Sequence, residues 1–220
     1  MRAVTNALEV AWEGAHPDIP LTVATEASNV LAARIAEGAE ADVFISADDI
    51  RPAELAEAGH TAGSPVPFAH NEIALVTGGA TPIASAEDLA EPGTRLVVGG
   101  PSTPIGRYTD AAIAALATGT DDPAAFAAAV HGNIASREDN VRAALAKVEL
   151  GEGDAAFVYR TDALGSEATT EVALPPAARI PADYSAVLVA ERGAARRFID
   201  WLRGPTAAAI LADAGFEVAP

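Results

Sequence analysis

Residues 132–159, GNIASREDNVRAALAKVELGEGDAAFVY, read as a strand, a helix and a second strand in succession. Val141, Ala144, Leu145 and Val148 fall at i, i+3, i+4 and i+7, one apolar face of a helix. Gly151 follows at the position where a left-handed residue closes a helix. Ala155–Tyr159 (AAFVY) is a short apolar run of the kind buried on both faces of a sheet. The same alternation extends outward. Strands are predicted at Ile19–Ala24, Asp42–Ser46, Ile73–Thr77, Arg95–Gly99, Gly132–Ala135 and Ala186–Val189. Helices are predicted over Ser28–Glu37, Arg107–Ala117, Glu138–Leu150 and Pro205–Ala214, each closing near a Gly. The opening MRAVTNALEVAWEGAHP reads as a helix ending before Pro17. Together these predict an α/β fold with mainly parallel sheets flanked by helices.

Two segments read as crossings between lobes: Pro65–Glu72 and the Pro-rich LPPAARIPAD of Leu174–Asp183. They predict a discontinuous first lobe, 1–70 with 181–220, and a second lobe, 71–180. A ligand cleft is expected between them.

Half of the 220 residues are hydrophobic, enough for a substantial core, although aromatics make up only 5%. The formal charge of −17 repels nucleic acid and anionic membrane surfaces, so neither is expected as a partner. The chain has no Cys, which excludes disulfides, thiolate metal sites and Cys nucleophiles. No apolar run approaches the roughly 20 residues needed to span a bilayer. No signal peptide is visible, so an exported protein would need its signal upstream.

Three segments place small or polar residues at a helix start: Glu26-Ala27-Ser28-Asn29, Pro101-Ser102-Thr103-Pro104-Ile105-Gly106 and Ser136-Arg137-Glu138-Asp139-Asn140. The first turn of a helix leaves N–H groups unpaired and carries about half a positive charge. An anion placed there meets fixed donors without Lys or Arg. Thr103 as N-cap with Pro104 at the first helical position would leave the N–H groups of Ile105 and Gly106. Capping competes with this reading, because Ser, Thr and Asn before a helix commonly do only that. The third start has two readings. Ser136 with Asp139 forms a capping box and an early start; a ligand site suits a start near Asn140.

No catalytic set emerges. His16, His60, His70 and His131 are scattered without metal-ligand spacing. Gly78-Gly79 and Gly99-Gly100 read as turns rather than phosphate loops. Asp48-Asp49 reads as the loop after a strand and the cap of the next helix, and Tyr159 as a core residue ending a strand. No enzyme activity and no cofactor are expected.

The segments ALEVAWEGAHPDIPLTV, SNVLAARIAEGAEADVFISAD, FAHNEIALVT, GGPSTPIGRYTDAAIAAL, EDNVRAALAKVELGEGDAAFVYRTDA and FIDWLRGPTAAAILADAGF run in one order over nearly the whole chain. In that order they resemble the periplasmic molybdate-binding proteins of ABC importers, which have the type II periplasmic-binding-protein fold. The resemblance implies a monomer that binds molybdate, and tungstate comparably, through neutral donors between its lobes. Molybdenum would be held as the oxyanion, with no direct protein–metal bond. It implies the Ser28 hydroxyl and N–H, the backbone N–H of Ile105 and of Val141, and the Tyr159 hydroxyl as ligands, with Asn140 a neighbour shaping its loop. The family usually opens with a strand and a further ligand Ser; here either Ala3 aligns with that Ser or the loop ends just before Met1 and the Ser is missing, and in both cases the first strand is absent. An ABC permease and its ATPase are the implied partners, and the implied location is the periplasm or the cell surface. Sulfate or another oxyanion on the same fold, and a cytosolic anion-sensing regulatory module, are the alternatives.

Overall fold

The structure is a computed structural model that describes residues 2–78 and 83–218, with side chains from Val4 onward. In chain order the elements are α1 (Arg2–Ala15), α2 (Ser28–Ala36), β1 (Val43–Ser46), α3 (Ile50–Glu57), β2 (Val66–Thr77), β3 (Leu96–Gly99), α4 (Pro104–Ala117), α5 (Pro123–Gly132), β4 (Ile134–Glu138), α6 (Val141–Glu149), β5 (Ala155–Tyr159), α7 (Arg160–Leu164), β6 (Thr170–Val172), β7 (Pro181–Leu188), α8 (Gly193–Leu202), α9 (Pro205–Asp213) and β8 (Glu217–Val218). The chain divides into two compact units, Met1–Asn71 with Asp183–Pro220, and Glu72–Ala182. It passes from one to the other within β2 and returns within β7.

In the first unit β1 pairs antiparallel with β7, which neighbours β2, and β8 pairs antiparallel with β2 at Ala69 and His70. Ala32, Ile35, Phe44, Leu55 and Val187 form a core between these strands and α2 and α3. A second packing centre is Trp12 of α1, 1% exposed, which meets Phe198 and Trp201 of α8 edge-on at centroid distances of 5.2 and 5.5 Å. In the second unit β5, β3 and β4 run parallel in that order, and β2 joins β5 antiparallel from Ile73 to Thr77. β3 and β5 are buried along their whole length, as their unbroken apolar runs require. Ala144 and Val148, on the apolar stripe of α6, pack on Val76, Val97, Ala156 and Val158.

The structure corrects three expectations. The sheets are mixed rather than mainly parallel: β3–β4 and β3–β5 are parallel, whereas β1–β7, β2–β5 and β2–β8 are antiparallel. β2 and β7 are delivered from the other unit instead of by a helical crossover, so nothing obliges them to run with their neighbours. Ile19–Ala24 forms no ladder among the described residues. Its polar groups bond α1 instead: Trp12 Nε1 donates to the Ile19 carbonyl at 3.0 Å and Leu21 N donates to Glu13 Oε1 at 3.1 Å. Pro20 has no N–H to give a ladder. The third change is at α6, which starts at Val141 because β4 continues through Glu138.

An ion pair fastens the second unit where β3 and β5 enter it. Asp154, with its side chain 8% exposed, accepts from Arg95 N at 2.8 Å and from the Arg95 guanidinium at 2.6 Å. The side-chain hydrogen bond from Arg95 is the main reason the Asp154 carboxyl lies below its ordinary range. A depressed carboxyl contributes stability above its unfolded pKa, and the contribution is lost as pH falls through the folded value. Asp154→Ala is therefore expected to lower unfolding free energy by about 1.5–3 kcal/mol at neutral pH. In urea melts the gap from the parent should close as pH falls below roughly 4; a gap independent of pH would contradict this.

Candidate functional site

Because β5, β3 and β4 are parallel neighbours, their carboxyl ends lie on one edge of the second unit's sheet. Gly100 N donates to Glu138 O at 2.7 Å, which ties the loop leaving β3 to the end of β4. Tyr159 ends β5, α4 starts from the loop after β3, and α6 starts directly after β4. The edge thus gathers Ile105, Val141 and Tyr159. In open α/β sheets this is where ligands bind.

The caps of α4 and α6 decide which N–H groups remain. At α4 the Thr103 hydroxyl donates to Gly100 O at 2.7 Å and accepts from Gly106 N at 3.1 Å. Gly106 is therefore satisfied, against the expectation that it stays available. Pro104 has no N–H. Ile105 is left, a residue 2% exposed whose N–H has no hydrogen-bond partner among the described residues. Buried donors of that kind are rare in proteins and invite a ligand. At α6 Asn140 is the N-cap, its Oδ1 accepting from Ala143 N at 3.0 Å. The N–H groups of Val141 and Arg142 are left without partners among the described residues. Asn140 acts through the cap, and the Arg142 N–H is a donor that sequence reading did not single out.

Close packing holds α4 in place. A Cβ built on Gly106 would lie 2.1 Å from Gly100 O, and one on Gly99 would lie 2.4 Å from Ile105 Cγ2. Only Gly at these positions lets the first turn of α4 approach the end of β3. Tyr159, 4% exposed, packs edge-on against Tyr108 of α4 at a centroid distance of 6.4 Å. Lys147 of α6 pairs with Glu138 of β4 at 2.8 Å, holding that helix to its strand.

Ser28 belongs to the first unit. It is the first helical residue of α2, and the N-cap Ala27 makes no side-chain cap bond. Its hydroxyl oxygen accepts from Ala47 N at 3.1 Å. A hydroxyl accepting one bond still carries its proton, so Ser28 keeps a donor. Its own N–H has no partner among the described residues. Of the Asp48-Asp49 pair it is Asp48, 1% exposed, that serves α3: its Oδ1 accepts from Arg51 N at 3.0 Å, while Asp49 makes no side-chain cap. Ala3 has its backbone in α1, and its side chain lies outside the described residues. Among the described residues no group of His, Asp or Glu is arranged to hold a metal ion.

A family model described as bacterial extracellular solute-binding protein matches residues 1–217. The chain is 33% identical over 211 residues to the molybdate-binding protein ModA of Mycobacterium tuberculosis, covering 93% of this chain and 76% of that one. The solved periplasmic molybdate-binding protein of Azotobacter vinelandii superposes with a TM-score of 0.78 at 24% identity, over 99% of this chain and 95% of the other. The sulfate-binding protein SubI of Mycobacterium tuberculosis does so with 0.70 at 22% identity, over 86% and 73%. At these identities the two structures speak for the fold alone.

Gly106→Ala is expected to push α4 away from β3 and to destabilise the chain by about 1–3 kcal/mol in urea unfolding. Gly132→Ala, whose Cβ would meet nothing within 4 Å, should be neutral or slightly stabilising. Equal effects would contradict the packing described.

Proposed function

Because the chain belongs to the bacterial extracellular solute-binding protein family, we propose that it is the binding component of an ABC importer and that its ligand is molybdate. The family binds solutes rather than transforming them. Molybdate is favoured by the name of the 33%-identical relative, together with the donor chemistry. The observation that carries the reading is the buried N–H of Ile105, left unpaired at a capped helix start on the same sheet edge as the Val141 N–H.

These amides only donate. They suit a fully ionised tetrahedral dianion, whose oxygens only accept. A protonated oxyanion such as hydrogen phosphate would bring a proton that an amide cannot accept, at the cost of an unmatched buried group. The ligands proposed are the hydroxyl and N–H of Ser28, the N–H groups of Ile105 and Val141, and the hydroxyl of Tyr159. Tungstate, with the same charge and shape, binds comparably. The partners are an ABC permease and its ATPase, and the protein works outside the cytoplasm as a monomer.

Isothermal titration of molybdate, tungstate and sulfate tests this. Molybdate and tungstate should bind with similar affinity, and Ser28→Ala and Tyr159→Phe should each weaken both by about tenfold to a hundredfold. Tight sulfate binding without a molybdate signal would replace the ligand. Unchanged affinity in both variants would remove the site.

A further inference from the structure

The loop that orients Ser28 is built around a buried carboxylate. Ser46 ends β1 with 0% exposure and Asp48 follows at 1%. The Ser46 hydroxyl donates to Asp48 Oδ1 at 2.9 Å, and Asp48 N donates back to Ser46 Oγ at 3.3 Å. The same Oδ1 accepts from Arg51 N at 3.0 Å, anchoring the loop to the start of α3. This reciprocal pair closes around one residue, Ala47, and the Ala47 N–H donates to Ser28 Oγ at 3.1 Å.

We propose that Asp48 is a positioning residue for the Ser28 donor: it fixes the turn that presents the Ala47 N–H, and this N–H occupies a lone pair of Ser28 Oγ so that the hydroxyl proton is directed at the ligand. The inference rests on the reading of Ser28 as an oxyanion ligand. A serine hydroxyl otherwise rotates to whichever acceptor is near. With one lone pair already engaged by a fixed amide, the orientations open to the proton are restricted before the ligand arrives, and preorganisation of this kind raises affinity. A carboxylate suits the task better than a neutral acceptor, because hydrogen bonds to a charged group are shorter and stronger. Asp48 acts on the ligand only through Ser28.

Titration with molybdate separates this role from simple structural support. Asp48→Ala should weaken binding about tenfold in the parent and less than about twofold in a Ser28→Ala background, because a residue acting through Ser28 has nothing left to position. Asp48→Asn, which keeps an oxygen acceptor at the same place, should stay within about threefold of the parent. Parental affinity in Asp48→Ala, or losses that multiply in the double variant, would overturn the proposal. Should Asp48→Ala not fold, Ser46→Ala breaks the same reciprocal pair and should show the same dependence on Ser28. Hydrogen exchange of the Ala47 amide in ligand-free protein gives a readout that does not need molybdate. Exchange should rise about tenfold in Asp48→Ala and match that of Ser28→Ala, the change expected when one hydrogen bond of roughly 1.4 kcal/mol is lost. A protein that ignores molybdate but shows this exchange would sink the ligand and spare the turn; unchanged exchange would sink the turn itself.

Discussion

A helix cannot satisfy the amides of its own first turn, and what its cap leaves over is available to a ligand. At α4 the Thr103 hydroxyl takes the N–H of Gly106, Pro104 contributes none, and Ile105 is left. At α6 Asn140 takes Ala143 and leaves Val141 and Arg142. In the proposed site the cap and the ligand donor are therefore one device. The cap fixes the helix start while the uncapped amide, one or two residues earlier, keeps its donor. Parallel pairing of β5, β3 and β4 brings two such starts and Tyr159 to one edge, and Gly99 and Gly106 permit the close approach of α4 to that edge.

The acidity of the chain, a formal −17, is compatible with an anionic ligand. Two unit charges about 10 Å apart in water interact by on the order of 0.4 kcal/mol, before screening over a Debye length of about 8 Å. A charge-assisted hydrogen bond at contact contributes roughly 1.5–3 kcal/mol. Donors in contact with a bound anion would therefore outweigh carboxylates spread over the surface. Several of the cations are engaged elsewhere: Arg34, Arg51, Arg95, Lys147, Arg192 and Arg196 each pair with a carboxylate. The donors assigned to the oxyanion are backbone amides and hydroxyls, with no cationic side chain among them.

Much of this was legible in the sequence, for local reasons. The apolar stripe of α6, the Gly151 stop and the unbroken runs of β3 and β5 follow from periodicity and from burial on both faces. Thr103-Pro104 marked the start of α4 because cap and proline both have one place to sit. Non-local facts were not legible. Whether Ser136 or Asn140 capped α6 depended on how far β4 paired with β3, through Glu138. Ile19–Ala24 has the pattern of a strand, but its polar groups bond Trp12 and Glu13 instead. The direction of β2 and β7 follows from the chain crossing between units, which no side-chain pattern records. The turn under Ser28 was hidden because its working group is the Ala47 amide, and a backbone amide has no sequence signature.

In the proposed complex the amides left over by the caps, and not the capped ones, meet the oxyanion. Amide proton chemical shifts followed during molybdate titration test it most directly. Large downfield shifts are expected at Ile105 and Val141 and small ones at Gly106 and Ala143, whose protons are already held by Thr103 and Asn140. Shifts of equal size at all four, or the largest shifts at arginine side chains, would contradict it.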